Sequence, residues 1–270
     1  MPATRTFIAA LCAVAAGGAA LTGCGGDKGD DAAPLMKPVV TTSAPTKAAD
    51  PFADQTADEV LKRAEQDMRD SGAMTYELSG SDEDSGQMHI KGTLTTTDKC
   101  ALAVDMGEGK VQLIFTGGDY TYMKGDNTFW TTNADAESAR VIGDKWVKIP
   151  SAEFDSDDED NFKTMCDLNG MMDTLSEDDG DDSSRLDKGR TATVGGQQVF
   201  QLIETDGADK TTISVTTGDN PVILRAEGTN EGQPMLMVFS DFGKQPNVTA
   251  PPPSMTLDPS KVGGPGGLHI

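Results

Sequence analysis

Two long stretches of this chain place apolar side chains at every second position, and that periodicity limits the folds open to it. Met74, Tyr76 and Leu78 alternate with Thr75, Glu77 and Ser79, and Met88, Ile90 and Leu94 follow an acidic turn at Ser81 to Gly86. Cys100, Leu102, Val104 and Met106 share one face, as do Val111, Leu113 and Phe115. Tyr120 and Tyr122 continue the alternation past the Gly117-Gly118 turn. Gly125-Asp126-Asn127 reads as a turn into a strand at Thr128 to Thr131, and Trp146 to Ile149 as another strand, stopped by Pro150. The pattern resumes at 190–194, 198–204, 211–216, 222–227 and 235–242, with hairpin signals at Gly195-Gly196 and Asp206-Gly207. Short alternating runs between turn residues form antiparallel meanders. Clean alternation marks a sheet buried on one face and wet on the other. A sheet of about ten strands must curl or be covered. The expectation is an α+β fold in which a curved antiparallel sheet receives a helix on its concave face.

Few segments have helical spacing. Thr56 and Glu59 form a capping-box pattern. Ala57, Val60, Leu61, Ala64 and Met68 then fall on one helical face, Gly72 is placed to end the helix, and Phe52 is near its start. Residues 153–187 hold 14 acidic and 2 basic residues, with Phe162, Met165, Cys166, Met172 and Leu175 at helical spacing. That segment reads as a short helical insertion between acidic loops.

The N-terminus sets the compartment. Phe7 to Ala20 is an apolar run of about 14 residues, shorter than the roughly 20 that a membrane span needs and suited to a secretory signal. It ends in Leu21-Thr22-Gly23-Cys24, which resembles the lipobox of bacterial lipoproteins. The resemblance implies cleavage before Cys24 and acylation of its thiol and amine, because one acyl chain anchors marginally and two or more anchor stably. Without a twin-Arg pair, general secretory export is expected, with the protein held at the outer face of the bacterial cytoplasmic membrane. Residues 1–23 are then signal peptide. Residues 24–50, rich in Gly, Pro, Ala, Thr and Asp, form a disordered linker spanning about 30 Å. Residues 51–262 form the folded domain, and 263–270 a disordered tail.

With Cys12 removed and Cys24 acylated, Cys100 and Cys166 remain in a compartment that permits disulfides, and they are expected to pair. The formal net charge of −22 disfavours both nucleic acid and anionic lipid head groups as electrostatic partners. Lipid contact is expected through apolar surface or through the Cys24 anchor.

Catalytic patterns are missing. There is no Gly-x-Ser-x-Gly elbow, phosphate loop, dinucleotide fingerprint, His-Glu-x-x-His or Cys-x-x-Cys. The only histidines are His89, which alternates outward on a strand, and His269 in the tail. Setting Gly180 as the sixth position of a calcium loop places Leu175 and Leu186 where carboxylates are needed. No enzyme activity, cofactor or specific metal site is expected, and Asn247-Val248-Thr249 is read as a chance match to a glycosylation acceptor. The thirteen methionines are more telling, since many lie on the alternating faces. Methionine is polarizable and adaptable, and suits surfaces that take varied apolar partners.

Three segments carry a family resemblance: Gly118-Asp119-Tyr120-Thr121-Tyr122-Met123-Lys124-Gly125, Gly143-Asp144-Lys145-Trp146-Val147-Lys148-Ile149-Pro150, and Gly189-Arg190-Thr191-Ala192-Thr193-Val194-Gly195-Gly196-Gln197. With the lipobox, one amphipathic helix and two sets of strands, they resemble the actinobacterial LppX/LprG-type lipoproteins of the LolA/LolB-like lipoprotein-carrier superfamily. The resemblance covers about 52–262. It implies a half-barrel of about 10–12 strands, with an N-terminal helix and a short helical insertion over its concave face and an acyl-chain cavity between. Met88, Ile90, Leu102, Val104, Phe115 and Tyr122 are the expected cavity wall. The expected function is binding or carrying a hydrophobic, acylated ligand. The alternative is an envelope sensor or structural cell-surface lipoprotein acting through protein–protein contacts.

Overall fold

The computed structural model describes residues 50–82, 86–97, 99–107, 109–150, 165, 167–176, 184–230 and 232–261. The Cys24 lipobox, the linker, Cys166, Phe162 and the tail from residue 262 lie outside the described residues.

Helix α1 (Ala57–Asp70) starts as its sequence predicts. The Thr56 hydroxyl accepts from the Glu59 amide at 3.2 Å, and the Glu59 carboxylate accepts from the Thr56 amide at 2.7 Å. Gly72, at φ +69°, turns the chain at its end. The first meander then runs β1 (Ala73–Asp82), β2 (Gly86–Thr95), β3 (Lys99–Met106), β4 (Lys110–Thr116) and β5 (Tyr120–Gly125). Two short helices follow, α2 (Asn127–Asn133) and α3 (Ala136–Ile142), before β6 (Trp146–Pro150). Helix α4 (Leu168–Ser176) precedes the second meander: β7 (Ser184–Val194), β8 (Gln197–Asp206), β9 (Asp209–Thr216), β10 (Ile223–Asn230) and β11 (Gln233–Ser240). A two-residue strand, β12 (Thr256–Leu257), completes the set.

All twelve strands form one open, curved sheet in the order β12-β6-β5-β4-β3-β2-β1-β11-β10-β9-β8-β7. The two meanders join where β1 pairs antiparallel with β11, Tyr76 opposite Phe239 and Leu78 opposite Met237. The ladder departs from the expected all-antiparallel pattern at one edge, where β12 runs parallel to β6. A parallel pair needs a long return connection, and here the whole second meander supplies it.

The stretch 128–131, read as a strand, is a helix. Asp126 caps it, its carboxylate accepting from the Phe129 amide at 2.8 Å, and Asp135 caps α3 the same way through Glu137 and Ser138. The aromatic pair explains the preference. Consecutive residues of a strand point to opposite faces, whereas a helix lets Phe129 and Trp130 pack on the same side, 5.0 Å apart edge to face. Trp130 is buried with Ile142 and Val147 in a small second core over the β5–β6 end.

Strand β7 begins six residues before the expected 190–194 strand. Its early part, from Ser184, is charged, and a bulge between Lys188 and Thr191 shifts the register, which masks the alternation in sequence.

Candidate ligand-binding face

One face of the sheet carries α1, α4 and the core. Its side chains form rows that cross the strands. The best-covered row runs Phe200, Val215, Phe239, Tyr76, Gly92, Leu102, Leu113, Met123 and Val147. Helix α1 lies over it with Val60, Ala64 and Met68 fully buried, and Phe52 meets Phe200 edge to face at 5.8 Å. Helix α4 closes the neighbouring space with Leu168 and Met172, also fully buried. The Arg69 guanidinium ties the two helices, donating to the Asn169 carbonyl at 3.1 Å and pairing with Asp173 at 2.9 Å. Gly92 makes room for the Tyr76 ring, since a Cβ there would sit 2.0 Å from Tyr76 Cε1.

Coverage thins along the strands. The next row, Ile213, Ala226, Met237, Leu78, Ile90, Val104 and Val111, is partly to largely buried. Beyond it lies a row of methionines and glycines: Gly228, Met235, Gly80, Met88 and Met106. Met235 and Met88 are half-buried, while Met106 is 42% exposed. Gly80 leaves the floor between Met235 and Met88 without a side chain. This end of the face is apolar, adaptable and open.

Five of the six expected wall residues lie on this face, in different rows. Met88 belongs to the methionine row, Ile90 and Val104 to the row above it, and Leu102 to the sealed row under α1. Phe115 lies further on, opposite Cys100. The sixth, Tyr122, is on the other face. The β5 ladder pairs it with Ile114 and Lys148, and it is Thr121, Met123 and Gly125 that point toward the core. A strand whose two faces both carry apolar residues gives no inward signal, so the tyrosines misassigned the phase. Met235, Gly80 and Gly228 were not in the expected wall. Their signal was the methionine content, which names no position until the ladder aligns them. A groove of about 820 Å³ is lined by Ser79, Thr212, Glu227 and Leu236 and, from the methionine row, by Gly80, Gly228 and Met235. None of the six expected residues lines it.

The face holds little polar chemistry. Glu65 of α1 is buried beside it; burial raises its carboxyl pKa against the opposing charges of Arg69 and Lys62. Burial also pushes the Tyr76 phenol up, and its hydroxyl donates to the Met165 carbonyl at 3.5 Å. Among the described residues no three His, Cys, Asp or Glu side chains cluster to hold a metal, and no helix is long and apolar enough to cross a membrane.

No protein-family model matches the chain, and no curated protein matches it in sequence. The structure is similar to that of LprF from Mycobacterium bovis, with a TM-score of 0.51 at 8% identity, over 72% of this chain and 96% of that one. Two other solved structures are similar at lower scores. They are the lipoprotein LppX of Mycobacterium tuberculosis, with TM-score 0.43, 10% identity and coverage of 70% and 96%, and a LolA superfamily protein of Nitrosomonas europaea, with TM-score 0.23, 7% identity and coverage of 69% and 92%. Identity this low speaks to architecture alone, and the architecture is the one this chain shares with LprF.

Proposed function

We propose that this chain is a lipid-anchored, extracytoplasmic lipoprotein that binds a hydrophobic, acylated ligand over its methionine row and does no covalent chemistry. The observation that carries the reading is the half-open end of the helix-bearing face, where Met235, Met88 and Met106 line up across neighbouring strands around Gly80. An acyl chain laid there gains about 0.8 kcal/mol for each methylene it buries. Methionine side chains adapt to chains of different shape.

Lipid occupancy tests the reading. Native mass spectrometry of the purified protein is expected to show bound acyl species. Val104→Trp, which fills space beside the methionine row, is expected to deplete them while the circular dichroism spectrum stays unchanged. A wild type that carries no lipid and binds no added fluorescent fatty acid would sink the carrier reading and favour a sensor or structural protein that works through protein contacts.

The anchor and the disulfide belong to the same proposal. Acylated Cys24 would hold the domain at the outer face of the cytoplasmic membrane on its linker. Wild type is expected in the detergent phase of a phase separation and Cys24→Ala in the aqueous phase. The Cys100–Cys166 pairing is supported by residues on either side of position 166. The Met165 carbonyl reaches Tyr76, and Asp167 bridges Thr95, whose hydroxyl donates at 3.0 Å to the carbonyl of Lys99, next to Cys100.

A further inference from the structure

The face of the sheet that carries no helix among the described residues is lysine-rich over β2 to β6, in a chain that is acidic as a whole. From β2 to β6 its outward positions are Gln87, His89, Lys91 and Thr93; Lys99, Ala101, Ala103 and Asp105; Lys110, Gln112, Ile114 and Thr116; Tyr120, Tyr122 and Lys124; Trp146, Lys148 and Pro150. Five lysines stand against one carboxylate, Asp105, which pairs with Lys110. The whole chain has twice as many acidic as basic residues, 44 against 22. Carboxylates at the margin are Glu77 on β1, paired with Lys91, and Asp258 beyond β6, 3.6 Å from Lys148, with Asp126 acting on Lys110 and Asp241 on Lys91.

Aromatic residues are concentrated on the same surface. Two of the chain's three tyrosines and one of its two tryptophans are here. Tyr120 is 39% exposed and lies under Lys148, whose ammonium sits 3.6 Å from the ring centroid. Ile114, Ala101 and Ala103 add apolar area between the lysines.

We infer that this lysine–tyrosine face docks on an anionic phospholipid surface. Lysines near a bilayer are drawn to anionic head groups. Tyrosine and tryptophan favour the membrane–water interface, where a ring sits in the apolar boundary and its polar atom stays wet. The net charge of the molecule does not forbid the contact. At physiological ionic strength charges more than about 8 Å from the surface are screened, so the face that approaches decides the interaction. The acidic remainder, repelled by the same surface, orients the lysine face toward it. The inference stands whether or not the other face holds a lipid.

The test uses the full chain carrying Cys24→Ala, so that no acyl anchor contributes, in co-sedimentation with vesicles. Binding is expected to vesicles of phosphatidylglycerol with phosphatidylcholine, weaker to phosphatidylcholine alone, and lost at high salt. Lys99→Glu with Lys124→Glu is expected to lower the partition coefficient about tenfold or more. Lys62→Glu with Arg140→Glu makes the same change of net charge on helices α1 and α3, away from this face, and is expected to bind as the parent does. Matching thermal melts show that both variants fold. Equal binding to the two vesicle types, or equal loss in both double variants, overturns the assignment. So does binding to a soluble phosphate-bearing polysaccharide without binding to vesicles, which would make the face a glycan site.

Discussion

The two ends of the helix-bearing face are built from similar residues and packed differently. Under α1 and α4, Met68, Met74, Leu94, Leu168 and Met172 are completely buried. A few residues along the same strands, Met88 and Met235 are half-buried and Met106 is exposed. Methionine fills gaps at the first end and lines a surface at the second. The residue type is thus a poor guide to role; what sits above it decides. A sealed end holds the strands rigidly, and an open end on rigid strands presents an apolar surface of fixed position and adaptable shape.

This contrast gives an order of expected effects. The largest belongs to the proposed disulfide, since Cys100 lies in the sealed end. Cys100→Ser or Cys166→Ser should each remove about 4 kcal/mol in the chain-entropy account, seen as a lower denaturant midpoint; unchanged midpoints in both, with two reactive thiols in denatured unreduced protein, would exclude the bridge. Next, Leu94→Ala should destabilise by about 2–5 kcal/mol, because a packed site leaves a cavity. Met88→Ala, at the open end, should cost under about 2 kcal/mol and instead reduce bound lipid. Equal losses of stability from the two would erase the distinction between the ends. Gly92→Ala should destabilise by about 1–3 kcal/mol by displacing the Tyr76 ring, with Gly80→Ala, which meets nothing closer than 3.5 Å, as the mild comparison in the same melts.

The smallest effect is a pH dependence at Glu65, buried on α1. Glu65 holds its proton more tightly folded than unfolded, because burial raises its pKa. A carboxyl raised in this way adds stability as pH falls through its folded pKa and loses that contribution as pH rises above it. Glu65→Gln should therefore melt slightly higher than wild type at neutral pH. The gap should close when pH drops below the ordinary glutamate range. Parallel melting curves across that range would show Glu65 to be as well solvated folded as unfolded.

Much of the architecture was legible in the sequence because it rests on local chemistry. Alternation at 73–123 and 197–240 placed the strands, and Thr56 with Glu59 placed the start of α1. The failures were of two kinds. At 128–131 strand-forming aromatics outweighed the capping signal of Asp126 in the reading, and the structure reversed that order. At β5, where both faces hold apolar groups, the phase was ambiguous by one residue and Tyr122 fell on the wrong side.

Net charge and its placement are separate matters. A total of −22 predicts repulsion from anionic surfaces, but the total is a sum and a surface is met one face at a time. Lys91, Lys99, Lys110, Lys124 and Lys148 are scattered over nearly 60 residues and become neighbours only through the pairing of β2 to β6.

What the sequence determined by itself is what depends on neighbours within a few positions: the strands, the capped helix and the turns. The tertiary structure decided which rows are sealed and which stay open, and how the lysines gather, because strand pairing sets side by side residues that are far apart along the chain. The methionine row exists only in that register. Met235 and Met88 are brought to either side of Gly80 by β1, which pairs with β11 on one edge and β2 on the other.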